Sequence, residues 1–179
     1  SDGKFIDKLI SFGDSDAHLE KAAKIHQYFL ENVSFNGLNS YTTTKTGDKL
    51  FADGKGDVGE INLNYIAALN HAGIPTVPVI LSTRGNGSLH PVIPDYSQFN
   101  YVVALSQIDG NDVLSDATST IPFGNLPVKC LQDKGWVISK INPRWINLKQ
   151  NNIGKQIVQI DITQSGNNFL YSTKINKLD

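Results

Sequence analysis

A chain of 179 residues with 40% apolar and aromatic side chains is long enough to bury one substantial core and carry a small appendage. Its formal net charge of -1, with Lys and Arg interspersed among Asp and Glu, excludes the basic stripe of a nucleic-acid binder. No apolar run approaches the roughly 20 residues that cross a bilayer, so direct membrane insertion is not expected.

The first predicted element is a helix. Asp14, Ser15 and Asp16 are capping residue types, and Leu19, Ala22, His26, Phe29 and Val33 then recur at helical spacing, with an end near Asn32. From Ser34 to Lys55 the composition turns to Gly, Asn, Thr and Lys without sustained periodicity, the pattern of a long loop crossing the core. A second helix is expected from about Asp57, burying Val58, Ile61, Tyr65, Ala68, Leu69 and Ala72. Gly73 supplies its stop, and Pro75 prevents continuation. The β-branched run Thr76 to Leu81 predicts a strand, with an irregular start or an edge position because of Pro78. Arg84 to Ser88, with two glycines, reads as a turn or loop.

Phe99 to Gln107 and Asp112 to Ala117 flank Asp109-Gly110, a dipeptide that favours tight reversal, and this is the clearest hairpin signal in the chain. Counting back from the turn sets Tyr101 nearly opposite Asp116. Ile121 to Leu131, with Pro122, Gly124 and Pro127, reads as an ordered loop laid over the core. Val158, Ile160 and Ile162 alternate with Gln159 and Asp161, and Phe169, Tyr171 and Thr173 alternate likewise across Gln164-Ser165-Gly166-Asn167, which predicts a terminal hairpin. The boundary is expected between Asn142 and Gly154, dividing the chain into 1–142 and 143–179. With no methionine and a start at Ser1, the chain reads as a processed segment of a longer protein.

Metal chemistry finds no pattern. His18, His26, His71 and His90 lack the i, i+4 spacing of a zinc helix and read as surface or half-buried residues. Asp109, Asn111 and Asp112 lack the full alternating acidic calcium loop and read as a turn. No metal or cofactor is expected. Cys130 is the single cysteine, which excludes an internal disulfide. Pro127-Val128-Lys129-Cys130-Leu131 contains no helix start, so Cys130 reads as a small buried hydrophobe, with a thiol nucleophile as the alternative.

The order helix-then-strands, with Gly56-Asp57-Val58-Gly59-Glu60 at a helix start and a hairpin ending in Leu114-Ser115-Asp116-Ala117-Thr118, resembles the transglutaminase-like superfamily of the papain-type cysteine-enzyme fold. The resemblance runs from about Leu19 to Ile138. Supporting segments are Phe35-Asn36-Gly37, Gly73-Ile74-Pro75, Leu81-Ser82-Thr83-Arg84, Gln98-Phe99-Asn100-Tyr101 and Pro122-Phe123-Gly124-Asn125-Leu126-Pro127. They are most similar to the transglutaminase-like domain of multidomain bacterial surface or periplasmic proteins, in which β-rich domains flank it. The resemblance implies an α+β architecture, helices on a small antiparallel sheet, followed by the C-terminal hairpin as the start of a β domain. It also implies a periplasmic or cell-surface location.

In that family a cysteine stands third in Gly-x-Cys-x-acid, and a histidine and an aspartate follow on neighbouring strands; the corresponding positions here are Val58, Tyr101 and Asp116. A thiolate attacks, an imidazole moves the proton and a carboxylate holds the imidazole. Valine and tyrosine stand in the first two places, so the resemblance implies a pseudoenzyme with no intact catalytic residue. Asp116 reads either as a relic of the triad or as a strand-end carboxylate accepting from the Thr118 backbone or the Tyr101 hydroxyl. Glu60 reads as a first-turn acid at the helix dipole. Arg84, Tyr96, Asn100 and Tyr101, with Phe99, either line a surviving cleft or are a solvated arginine and core aromatics. The expectation is a non-catalytic binding or scaffolding module that takes peptide or glycan in the old cleft. The alternative is a cysteine-type protease or transglutaminase-like acyl transferase using Cys130.

Overall fold

Helix α1 (His18–Asn32) buries Ala22, Ile25, His26 and Phe29, while Leu19 faces solvent. The computed structural model of the chain describes residues 3–13, 17–90, 95–132, 134–148, 155–166 and 168–178. The capping residues expected at 14–16 lie outside these, and Ala17 occupies the N-cap without a side-chain bond. Ahead of α1, a 3-10 turn at Lys4–Lys8 inserts Phe5 and Ile6 into the core.

The span expected to be one long loop carries structure. Strand β1 (Ser34–Phe35) runs parallel to β2 (Lys55–Gly56), and helix α2 (Gly47–Asp53) lies between them. Thr46 caps α2 by accepting from the Lys49 N–H, and Gly54 ends it at φ 61°. Helix α3 (Val58–His71) starts at Asp57 as expected, because Asp57 and Glu60 form a reciprocal capping box. Val58, Ile61, Tyr65, Ala68 and Leu69 are all buried. Gly73, at φ 82°, lets the chain leave the helix in the left-handed region.

The main sheet has five antiparallel strands in the order β5-β4-β3-β6-β7. These are β3 (Thr76–Leu81), β4 (Tyr101–Ile108), β5 (Asn111–Ser115), β6 (Lys134–Val137) and β7 (Arg144–Asn147). Pro78 does not put β3 at an edge: the strand is central. The ladder to β6 covers only Val79 to Leu81, and the Pro78 carbonyl accepts from Ile138 just beyond it, so the missing N–H falls at the ladder's end. Asp109 and Gly110 turn between β4 and β5 with φ of 50° and 80°, the left-handed pair that a two-residue hairpin needs. Ala104 pairs with Ser115, so the same register carries Tyr101 past Asp116 to a place across from Thr118.

Strand β4 is buried on both faces. Ala104 and Ile108 join a core with α1 and α3, whereas Tyr101, Val103 and Leu105 join a second cluster with Val58, Cys130, Val137 and Leu148. Because β7 pairs with β6 and Leu148 is buried, the first compact unit runs through the expected division at 142/143 and ends at Lys149. The second unit, Gln150–Asp179, is the expected hairpin of β8 (Lys155–Ser165) and β9 (Asn168–Leu178). Its register places Val158, Ile160, Ile162, Phe169, Tyr171 and Ile175 on one exposed face.

Candidate functional site

The start of α3 is built tightly. Glu60 N–H donates to Asp57 Oδ1 at 2.8 Å, and Asp57 N–H donates to Glu60 Oε2 at 3.1 Å. Burial raises the Asp57 carboxyl above its ordinary range. Lys45 bridges Glu60 at 3.1 Å and Asp53 at 3.3 Å, and these two carboxylates hold its ammonium more firmly protonated. Val58, the first residue of the helix, is fully buried, and its N–H donates to the Leu38 carbonyl at 3.2 Å. A Cβ at Gly59 would collide with the Thr42 carbonyl. The segment from Leu38 to Thr42 thus seals the helix start.

One turn further along α3, Asn62 joins the helix to the end of β5. Its Nδ2 donates to the Val102 carbonyl at 2.8 Å and to Asp116 Oδ2 at 3.0 Å, while its Oδ1 accepts from Ala117 N–H at 2.9 Å. The other carboxylate oxygen of Asp116 accepts from the Thr118 N–H at 2.8 Å and the Thr118 hydroxyl at 2.6 Å. A fully buried carboxylate is stabilised when neutral donors satisfy it this fully. The Asp116 carbonyl accepts from His26 Nε2 at 2.8 Å, so that nitrogen carries the proton. His26 is itself buried between the Tyr65 and Phe123 rings. Burial lowers its pKa against the opposing pull of Asp116, which corrects the expectation of a surface or half-buried histidine.

Tyr101 completes the cluster. Its hydroxyl lies 2.7 Å from Thr118 Oγ1. Since that oxygen gives its own hydrogen to Asp116, the phenol donates, and a relay runs from Tyr101 through Thr118 to the carboxylate. Of the two partners expected for Asp116, the Thr118 backbone binds directly and the Tyr101 hydroxyl reaches it through Thr118. Burial, then the nearby charge of Asp116, pushes the phenol far above its ordinary pKa.

Cys130 closes a 3-10 turn at Val128–Cys130 and is fully buried, with its thiol beside the Tyr101 hydroxyl. Burial, then Asp116, pushes the thiol well up. The neighbouring Lys129 holds its ammonium over the Phe35 and Tyr101 rings.

The structure therefore brings Val58, Tyr101, Asp116 and Cys130 to one end of the sheet and adds Asn62, His26 and the Thr118 hydroxyl, for which the sequence carries no signal. Arg84 and Asn100 make bonds of their own outside this cluster. Arg84 donates from Nε and Nη2 to the Leu131 carbonyl at 3.2 and 2.9 Å. Asn100 clamps Thr83, accepting from its N–H at 2.9 Å and donating to its hydroxyl at 3.0 Å. Tyr96 is 73% exposed and stands outside the cluster, although its carbonyl accepts from the Tyr41 hydroxyl. Phe99 stacks on Trp145 with centroids 6.3 Å apart.

Comparison with known proteins agrees with this architecture. A putative protease from Parabacteroides distasonis has a similar fold in its crystal structure, with a TM-score of 0.55 and 19% identity over 84% of this chain. The chain spans only 27% of that protein. No curated protein matches the sequence. The family model of the transglutaminase-like superfamily matches residues 5–148, nearly all of the first compact unit. The chain belongs to the transglutaminase-like superfamily.

Proposed function

We propose that this domain is a non-catalytic member of its superfamily, a pseudoenzyme that serves binding or scaffolding in a larger bacterial envelope protein, periplasmic or at the cell surface. The observation that carries the reading is the presence of Val58 and Tyr101 together in one buried cluster. An isopropyl group stands at the helix start where a thiolate would gain from the dipole. The backbone N–H there, a donor of the kind that stabilises an oxyanion, is already bound to Leu38. At the base position a phenol gives its proton into the Thr118 relay and is held protonated by burial. Peptide or glycan in the remnant cleft, and the β domains of the parent chain, are the partners that suit such a module.

The second reading is a cysteine-type protease or transglutaminase-like acyl transferase using Cys130. Its support is the position of that thiol beside Tyr101. Full burial and a raised pKa leave little thiolate for attack, which favours the first reading. The experiment offers the domain a glutamine donor with an amine acceptor, and separately a peptide library. No turnover is expected from the unsubstituted chain or from Cys130→Ala. Turnover that disappears in Cys130→Ala would overturn the non-catalytic reading. Saturable binding of a peptide or sugar, weakened by Tyr101→Ala in a folded domain, is the positive expectation.

A further inference from the structure

Lys129 places its ammonium over two aromatic faces at once, 4.8 Å from the Phe35 ring centroid and 4.6 Å from that of Tyr101. Both distances lie within the roughly 6 Å over which a ring quadrupole attracts a cation. Among the described residues no carboxylate stands within ion-pair distance of this ammonium, so the two rings are its partners.

The segment that carries Lys129 is pinned along its length. The Lys129 carbonyl accepts from the Arg84 N–H at 2.9 Å, the Arg84 guanidinium grips the Leu131 carbonyl, and Gln132 Nε2 donates to the Gly87 carbonyl at 2.9 Å. The side chain, by contrast, is half-buried, and its partners among the described residues are the two rings. One of those rings belongs to the residue whose hydroxyl begins the relay to Asp116. A primary ammonium is strongly hydrated and loses much of its water on entering such a place. A methylated ammonium spreads its charge over a larger apolar surface and is the chemistry that paired aromatic faces recognise best.

We propose that Phe35 and Tyr101 form an alkylammonium cage that Lys129 fills from within the same chain, so that a partner's lysine-like or quaternary ammonium group enters only when Lys129 swings out. The inference rests on the reading of this cleft as a non-catalytic binding site and gives that site a ligand class. It also makes the domain self-occupied at rest.

The test titrates tetramethylammonium chloride into isotopically labelled protein and follows the Phe35 and Tyr101 ring signals by NMR, with potassium chloride at equal ionic strength as the blank. Lys129→Ala opens the cage and is expected to bind the probe at least about tenfold more tightly than the unsubstituted chain. Lys129→Met keeps an unbranched stem between the rings, and its affinity is expected to stay at the level of the unsubstituted chain. In the Lys129→Ala background, Phe35→Leu abolishes binding while Tyr101→Phe, which keeps the ring, retains it. Lys129→Ser is the second open variant should alanine prevent folding, and thermal unfolding verifies each protein. A folded Lys129→Ala or Lys129→Ser protein with no saturable ring-specific shift beyond the blank overturns the cage and leaves the non-catalytic reading intact. Cys130-dependent ammonia release from a glutamine donor by the unsubstituted chain overturns that reading instead, whatever the cation titration gives.

Discussion

Asn62 donates to Asp116 across 3.0 Å and at the same time accepts from the N–H of Ala117, so one side chain of α3 fixes both the carboxylate and the backbone that follows it. Each of its polar groups is fully buried. Replacing Asn62 by leucine leaves a carboxylate oxygen, the Val102 carbonyl and the Ala117 N–H without this partner, a loss of about 2–4 kcal/mol. Urea unfolding measures it. A double-mutant cycle with Asp116→Ala is expected to show a coupling of about 1–2 kcal/mol. Strict additivity would mean that the network does not join the helix to the strand end.

Gly59→Ala separates helix propensity from packing. In a free helix the change gains about 1 kcal/mol. Here the new Cβ meets the carbonyl, carbon and nitrogen of Thr42, all backbone atoms. The expected outcome is a loss of about 1–3 kcal/mol from overpacking, read as a lower unfolding midpoint. A stabilised variant would show that the Leu38 to Thr42 segment yields readily and does not seal the helix start.

Local signals were legible where they are self-contained. Asp57, Glu60 and Gly73 mark both ends of α3, and Asp109-Gly110 dictates its own turn. Helix α2 escaped the reading because seven residues with Leu50 and Phe51 as their large apolar side chains show no period; its caps, Thr46 and Gly54, were the only signal. Pro78 pointed to an edge because a sequence does not tell where the neighbouring strand ends. Asn62 and His26 sit as polar residues on apolar helix faces, and their partners lie 54 and 90 residues away. That spacing is visible only once the sheet has brought Asp116 to α1 and α3. Val58, Tyr101 and Asp116 are singled out by a family resemblance, whereas the bond of the Thr118 hydroxyl to Tyr101 follows only from the exact hairpin register, which sets Tyr101 across from Thr118.

His26 makes stability depend on pH. Its folded pKa lies below the ordinary imidazole value of about 6.5, chiefly through burial, so the folded state prefers the neutral ring. The contribution is present in full above the unfolded pKa and is lost as pH falls through about 6.5 toward the lower folded value, because the unfolded chain takes up the proton first. Each unit of depression corresponds to about 1.4 kcal/mol. Urea midpoints should therefore drop between about pH 7.5 and pH 5.5. The drop should be smaller in His26→Gln, which keeps a donor for the Asp116 carbonyl but does not titrate. An equal drop in both proteins would assign the pH dependence to groups other than His26.

Cys130 offers the most direct measure of how closed the site is. The thiol is fully buried beneath the turn that Arg84 anchors, and burial holds it protonated. An attacking reagent needs both access and thiolate, so labelling by a disulfide reagent at pH 8 should be at least about a hundredfold slower than that of the unfolded chain. Arg84→Ala removes the guanidinium grip on Leu131 but not the backbone bond at Lys129. It is expected to speed labelling by about tenfold, with a global loss within roughly 1 kcal/mol, the signature of a local opening. If acceleration and global destabilisation rise in proportion, the thiol is reached only through whole-domain unfolding, and the turn is then part of the core it covers. Rapid labelling of the unsubstituted chain would give Cys130 the accessibility a nucleophile needs and would strengthen the case for thiol chemistry.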